Sequence, residues 1–176
     1  MSDPLSEAFK KIDLSQVHSP CHVLHRGLLV NNLKILRSVM DRSGAKIILA
    51  LKGFAQFSEA KLIRRYLAGT TASGINEALL GREEFDGEVH AYSPAFKDDE
   101  FTHLLRVADH ISFNSINQWK RHQAAAKSAT RKVSFGLRVN PEHAEVEVEL
   151  YNPCASGSRL GTLRSEIKSA ADLEGL

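Results

Sequence analysis

Lys46-Ile-Ile-Leu-Ala-Leu-Lys52, followed by Gly53-Phe54-Ala55, decides the fold of this chain. Ile47 to Leu51 are uncharged and apolar, with Gly44 shortly before them and Gly53 shortly after. A short apolar run between glycines predicts a strand buried on both faces of a parallel sheet. Alternation sends Ile47, Leu49 and Leu51 to one face and Ile48, Ala50 and Lys52 to the other. In a barrel of parallel strands the second face is the interior. Lys52 then stands at the carboxyl end of its strand, where such barrels build their active sites. Taken alone, Lys52 reads as a strand-ending lysine that reaches to water. The functional alternative is a buried amine, whose pKa falls on losing solvation and which becomes a usable nucleophile toward an aldehyde.

Downstream of the lysine strand a rhythm sets in. Ser58 caps a predicted helix carrying Leu62, Ile63, Tyr66 and Leu67, closed by Gly69. Thr70-Thr71-Ala72 reads as a strand, and Ser73 caps a helix through Leu80. Val89 to Ser93 is the next strand, ended by Pro94. Asp98, Asp99 and Glu100 complement the dipole at the start of a helix that buries Phe101, Leu104 and Leu105. His110 to Phe113 is a strand. Ser115 and Gln118 make a capping-box start for an alanine-rich helix ending near Ala129. In Val133 to Val139, Val133, Phe135, Leu137 and Val139 face the helices while Ser134, Gly136 and Arg138 face inward. Strands and helices alternating without tight hairpins imply βα units on a parallel sheet. About five such units fit, whereas an eight-unit barrel takes about 250 residues. The chain therefore reads as α/β, a partial (β/α)8 TIM-type barrel. Glu145 to Leu150 alternates acid and apolar, as a half-exposed strand or loop does, and Leu163 to Leu173 reads as a further helix.

Upstream, Leu5 to Lys11 reads as a short helix behind Asp3-Pro4. Ser19-Pro20 breaks it and Cys21 to His25 reads as an extended strand. Leu29, Leu33, Leu36, Val39 and Met40 then form the apolar stripe of a helix that Gly44 stops. The organisation expected is residues 1–25 as a lead-in and 26–176 as an incomplete barrel.

With 176 residues, 43% hydrophobic and 25% charged, the composition is that of a globular chain with a real core. A formal net charge of +2 is too mild to imply nucleic acid or an anionic membrane surface. No apolar run approaches the roughly 18 residues of a membrane span. Of the 8 histidines, His18, His22 and His25 come closest to metal-site spacing but straddle Pro20, so they read as incidental and no metal is expected. Cys21 and Cys154, without a signal peptide, read as free thiols of a cytoplasmic protein.

Several stretches together resemble the fold-type III pyridoxal phosphate enzymes, the alanine racemase and ornithine decarboxylase group. These are Ser19-Pro-Cys-His-Val-Leu24 with the helix after it, Leu49-Ala-Leu-Lys52, and Thr71-Ala-Ser-Gly-Ile-Asn-Glu77. More particular are Gly136-Leu-Arg-Val-Asn-Pro-Glu142 and Tyr151-Asn-Pro-Cys-Ala-Ser-Gly-Ser-Arg-Leu-Gly161. The last run resembles the carboxynorspermidine and carboxyspermidine decarboxylases. Relatives acting on ornithine or diaminopimelate carry Lys-Phe-Gly near where Arg159-Leu160-Gly161 stands. The resemblance covers essentially the whole chain and corresponds to the first half of a family member, with a C-terminal β-domain absent.

The resemblance implies a pyridoxal 5'-phosphate-dependent decarboxylase of polyamine biosynthesis, homodimeric at full length, acting on a small polyamine-type substrate. It makes Lys52 the Schiff-base lysine, Arg138 the arginine near the cofactor, and Glu77 a glutamate of the cofactor neighbourhood, within one residue of Asn76. Glu77 also reads as an ordinary first-turn acid. Arg138 directed into a barrel calls for a partner, because a buried charge is costly unless paired. Ser158-Arg159 is a polar loop or a functional pair, and Asn152-Pro153-Cys154 is a turn with a structural cysteine. The 176-residue chain alone is expected to be inactive. The rivals are another basic amino-acid decarboxylase or a racemase, a non-catalytic cofactor-binding barrel, and a truncated product.

Overall fold

The structure, a computed structural model, describes residues 7, 9–10 and 12–176. The helix predicted for Leu5 to Lys11 lies largely outside the described residues. Contacts divide the chain into two units, residues 1–45 and 46–176.

The first unit carries α1 (Arg26–Ser43). His25 starts it, its Nδ1 accepting the Leu28 N–H at 3.2 Å. That gives one of the predicted incidental histidines a structural task. Gly44 ends it in the left-handed conformation (φ 71°), its N–H donating to the Met40 carbonyl at 2.9 Å. Leu33 is buried, Leu29 and Met40 are half-buried, and Leu36 and Val39 are exposed. Cys21 to Leu24 are exposed and form no strand, which corrects the expectation there. An extended segment without a ladder partner is a loop.

The second unit is a parallel sheet of five strands in chain order: β1 (Ile48–Ala50), β2 (Gly69–Ala72), β3 (Glu88–Tyr92), β4 (His110–Phe113) and β5 (Ser134–Leu137). Parallel neighbours need crossovers. These contain α2 (Ala60–Ile63), α3 (Ile75–Leu80), α4 (Asp98–Val107) and α5 (Ile116–Lys127). The sheet is a wall of a βα barrel, as the strand–helix rhythm predicts. Its ladder aligns Ala50, Thr71, His90, His110 and Ser134 in one row, and Tyr92, Ser112 and Gly136 in the next. These rows share one face.

The opposite face lies under the helices. Val89, Ala91, Ile111 and Phe113 are buried there with Phe101, Leu104 and Leu105 of α4 and Trp119 of α5. Phe113 and Trp119 meet at 5.1 Å between ring centroids, and Trp119 and Phe135 at 5.6 Å. Aromatic pairs of this kind add about 0.5–1.5 kcal/mol each beyond their burial.

β1 differs from the fully buried strand predicted. Ile48, Leu49 and Ala50 are half-buried because β1 is an edge strand, paired with β2 on one side. Leu51, just beyond it, is buried at 2% exposure. The helix expected from Ser58 starts at Ala60 and is a single turn, and Gly69 opens β2 rather than closing that helix. Leu163 to Leu173 forms two 3-10 turns, Arg164–Glu166 and Ala170–Leu173, instead of an α-helix. Glu166 and Asp172 close those turns on themselves, accepting the N–H groups of Leu163 and Ser169 at 2.8 and 3.0 Å. Side chains that satisfy nearby backbone donors in this way compete with helix propagation. Residues 145–148 are a loop running into the 3-10 turn Glu149–Tyr151.

His122 of α5 is 3% exposed, stacked on Phe101 at 4.2 Å, and its Nε2 has no hydrogen-bond partner among the described residues. Burial pushes its pKa below the usual histidine value, against the opposing pull of the Asp98 carboxylate. The unfolded chain therefore takes up this proton first as pH falls. The stability contributed by a neutral His122 is complete above about pH 6.5 and is lost as pH falls toward the folded-state pKa. His122→Phe keeps the aromatic slot filled and removes the proton site. Its Tm is expected to fall less than that of the parent between pH 7 and pH 5. Parallel Tm profiles would show that His122 does not titrate in this window.

Candidate active site

The three site residues predicted from sequence all sit at the carboxyl ends of strands. Lys52 lies in the turn after β1, Glu77 in the first turn of the helix after β2, and Arg138 one residue beyond β5. The fold gathers them at one end of the sheet, the end where βα barrels carry their chemistry. No direct contact joins the three.

Lys52 is exposed, as a strand-ending lysine that reaches to water, and is not the buried amine of the functional alternative. Five strands of wall do not enclose it. Its backbone is nevertheless fixed. The Leu51 N–H donates to the Thr71 carbonyl at 3.1 Å, and the N–H groups of Gly53 and Phe54 return to the Ala50 carbonyl at 2.9 and 3.1 Å. Lys46 at the other end of the run pairs with Glu88. Lys52 makes no ion pair among the described residues.

Glu77 accepts the Ser73 N–H at 2.7 Å. The expected cap is inverted: Gly74 occupies the N-cap position of α3, and the glutamate reaches back to Ser73. Glu77 therefore has a structural task at the start of its helix.

Arg138 is half-buried, and the partner it requires is an aromatic rather than an acid. Its Nη1 donates to the Tyr92 Oη at 2.9 Å, and its guanidinium carbon lies 4.9 Å from the Tyr92 ring centroid. A planar cation over an aromatic face is held electrostatically without being neutralised. Among the described residues no carboxylate pairs with it, so its charge remains available to an anion.

Tyr92 in turn donates to the Asn114 Oδ1 at 2.7 Å. Asn114 is 92% buried by its 8% exposure and is the hub of the site. Its Oδ1 also accepts the Gly161 N–H at 2.8 Å, its Nδ2 donates to the Arg159 carbonyl at 2.9 Å, and its own N–H donates to the Gln118 Oε1 at 2.6 Å. Thr162 Oγ1 donates to the Asn114 carbonyl at 3.1 Å. Through its side-chain amide and its backbone N–H, this one residue ties the end of β3, the start of α5 and the Arg159-Leu160-Gly161 run together. Gly161 has φ 85°, and a Cβ there would lie 2.9 Å from the Asn140 nitrogen. Only glycine fits that close approach.

The Arg159–Gly161 run leads into an isolated parallel bridge beside β5. Val139 and Thr162 form a parallel bridge, with the Thr162 N–H donating to the Arg138 carbonyl and the Asn140 N–H to the Thr162 carbonyl, both at 2.8 Å. Between them, Asn152 Oδ1 accepts the Cys154 N–H at 2.8 Å, the turn predicted for Asn152-Pro153-Cys154.

Sequence reasoning overlooked Tyr92 and Asn114. The available signal was positional: Tyr92 ends the inward face of β3, and Asn114 separates a strand from a capped helix. An asparagine in such a place binds backbone groups in two directions.

The donor set fits pyridoxal phosphate in its chemistry. A primary amine on a fixed turn meets the requirement of an aldehyde, and an arginine without an acid partner meets that of an anionic group. Glu77 is already engaged by Ser73, so its place in the cofactor neighbourhood rests on position alone.

No protein-family profile matches the chain. It is 45% identical over 148 residues to the carboxyaminopropylagmatine decarboxylase of Synechocystis sp., covering 84% of this chain and 38% of that protein. It is 44% identical over 146 residues to the carboxynorspermidine/carboxyspermidine decarboxylase of Campylobacter jejuni, covering 83% of this chain and 37% of that protein. The crystal structure of carboxynorspermidine decarboxylase from Campylobacter jejuni, complexed with norspermidine, superposes with a TM-score of 0.71 at 37% identity, over 91% of this chain and 38% of that one. The chain thus spans well under half the length of the proteins it matches.

Proposed function

We propose that this chain, which belongs to the carboxynorspermidine/carboxyspermidine decarboxylase family and spans 37% of its Campylobacter jejuni member, forms the lysine-bearing part of a carboxy-lyase dependent on pyridoxal 5'-phosphate. The substrate class is a carboxylated polyamine. The observation that carries the proposal is Lys52: an exposed amine without an ion-pair partner among the described residues, on a turn locked at both sides, at the carboxyl end of the first strand.

Lys52 and Arg138 are the residues that would hold the cofactor, with Glu77 beside it. When bound, pyridoxal phosphate supplies an electron sink for the pair left by a departing carboxylate. Lys52 offers the amine. Tyr92 fixes the direction of Arg138, and Asn114 fixes both Tyr92 and the Arg159–Gly161 run. The same reading makes the active protein a homodimer of the cytoplasm, where unpaired thiols such as Cys21 and Cys154 stay reduced. The remaining groups of the site come from outside these residues.

A second reading concerns the substrate. The 45% identity to carboxyaminopropylagmatine decarboxylase, level with the 44% to the Campylobacter jejuni enzyme, makes a guanidino-terminated carboxylated polyamine an equal candidate. Carbon dioxide release should therefore be compared, in the active protein, for carboxynorspermidine, carboxyspermidine, carboxyaminopropylagmatine, ornithine, lysine and diaminopimelate. One of the first three is expected to exceed ornithine by roughly 100-fold in kcat/KM, the discrimination that buried polar recognition of a substrate tail readily supplies. Equal turnover of ornithine would place the protein among the general basic amino-acid decarboxylases. Release from none of them would favour a non-catalytic cofactor-binding barrel.

A further inference from the structure

Glu88, His90 and His110 form a cluster on the open face of the sheet that the decarboxylase reading does not use. Glu88 and His90 lie two apart on β3 and so share a face, and His110 is the ladder partner of His90 on β4. The two imidazoles stack at 4.2 Å with planes 15° apart, and Glu88 Oε2 lies 3.2 Å from His90 Nε2. One donor atom of each residue lies within 4.8 Å of the other two. All three are half-buried. Among the described residues no side chain hydrogen-bonds the ring nitrogens of His110.

We propose that Glu88, His90 and His110 bind a divalent transition-metal ion of the zinc class, which ties β3 to β4. Two imidazoles and one carboxylate are borderline donors suited to such an ion, whereas calcium and magnesium ask for oxygen alone. Three protein ligands leave a fourth tetrahedral position for water. Their backbones are set by the ladder, since neighbouring strands stand about 4.8 Å apart. Bonds of about 2.0–2.1 Å bring tetrahedral donor atoms to roughly 3.4 Å from one another, so the cluster must contract. Stacked rings direct their lone pairs side by side, and a turn of the His110 ring about Cβ–Cγ brings them onto a common point.

Lys46 is the competitor. Its ammonium holds Glu88 Oε1 while His90 faces Oε2, so ammonium and metal share one carboxylate. Removing the ammonium should strengthen metal binding. A chance pair of surface histidines would not respond to Lys46 at all.

The test uses the 176-residue chain with Cys21 and Cys154 changed to serine, so that thiolates cannot take the metal. Zinc is titrated calorimetrically, cobalt(II) is followed by its visible ligand-field absorption, and Tm is measured with and without zinc. The expected result is one zinc per chain with Kd at or below about 10 μM, tetrahedral cobalt absorption and a raised Tm, since a ligand that binds only the folded form stabilises it. His90→Asn and His110→Asn should each weaken binding roughly 100-fold, Glu88→Gln roughly 10-fold or more, and Lys46→Ala should tighten it several-fold. His143→Asn, in the loop after β5, should change nothing. Absence of stoichiometric binding below about 100 μM overturns the proposal, as does unchanged affinity in a His90→Asn/His110→Asn double variant. Neither outcome bears on Lys52, so the decarboxylase reading stands or falls separately.

Discussion

Lys52→Ala is expected to abolish carbon dioxide release in the active protein, by about 10³-fold or more, and to leave the Tm of residues 1–176 unchanged. A thousandfold loss corresponds to about 4 kcal/mol of transition-state stabilisation. The pairing of the two outcomes follows from the structure. Lys52 is exposed and makes no ion pair among the described residues. Truncating such a surface side chain alters stability by less than about 0.5 kcal/mol. The turn is held by backbone hydrogen bonds from Leu51, Gly53 and Phe54, none of which needs the lysine side chain. A residue with no structural task, on a turn held by backbone hydrogen bonds at the carboxyl end of a parallel strand, is free to serve chemistry. The companion measurement is borohydride reduction in the presence of pyridoxal phosphate, followed by peptide mapping. Label should appear at Lys52 in the parent and vanish in the variant. Label on another lysine, or a variant that still turns over, would remove Lys52 from the site.

Residues 1–176 alone are expected to release no carbon dioxide above background with saturating cofactor and substrate. The five strands form a wall and not an enclosure. Thr71, His90, His110 and Ser112 on the inner face are half-buried, whereas residues lining a closed barrel are packed in layers contributed by strands all round the ring. Electrostatic stabilisation in a site depends on excluding water, and an open face cannot do so. One edge of the sheet, at β1, is unpaired on its outer side, and the other is met by the single bridge from Val139 to Thr162. Turnover at an enzymic rate from a monodisperse monomer of this chain would show that the chemistry lies wholly within these residues.

Much of the fold was legible because its periodicity is strong. The buried face of α4 was predicted residue for residue, since Phe101, Leu104 and Leu105 fall at helical spacing, and the bounds of β4, His110 to Phe113, were predicted as observed. The misreadings lie where local hydrogen bonding competes with pattern. Ser58 Oγ accepts a hydrogen bond from the Gln56 side-chain amide instead of capping a helix, Glu77 reaches back to Ser73, and Asp172 closes a 3-10 turn. Each is a short polar contact that periodicity cannot register. The edge position of β1 was also hidden, because an apolar run looks the same whether one flank or two are paired.

The candidate site shows its charged members in the sequence and hides its neutral ones. Lys52 and Arg138 stand out because a charge on an inward face needs a reason. Tyr92 and Asn114 carry no charge and look like an ordinary strand end and an ordinary loop. Their roles arise from ladder register, which brings residues 22 apart in sequence within 2.7 Å.

The segment between Arg138 and Thr162 is clasped at both ends, by the two backbone hydrogen bonds of the bridge and by Asn114. Such a clasp separates two kinds of evolutionary change. Residues inside the segment, from Pro141 to Ser158, can be exchanged, lengthened or shortened without disturbing the register of the sheet. Doubling the length of a loop with fixed ends costs only about 0.6 kcal/mol. A lineage can thus retune what this arm touches while inheriting the barrel wall unchanged, and only Asn114, Gly161 and Thr162 must be kept for the exchange to be silent in the scaffold.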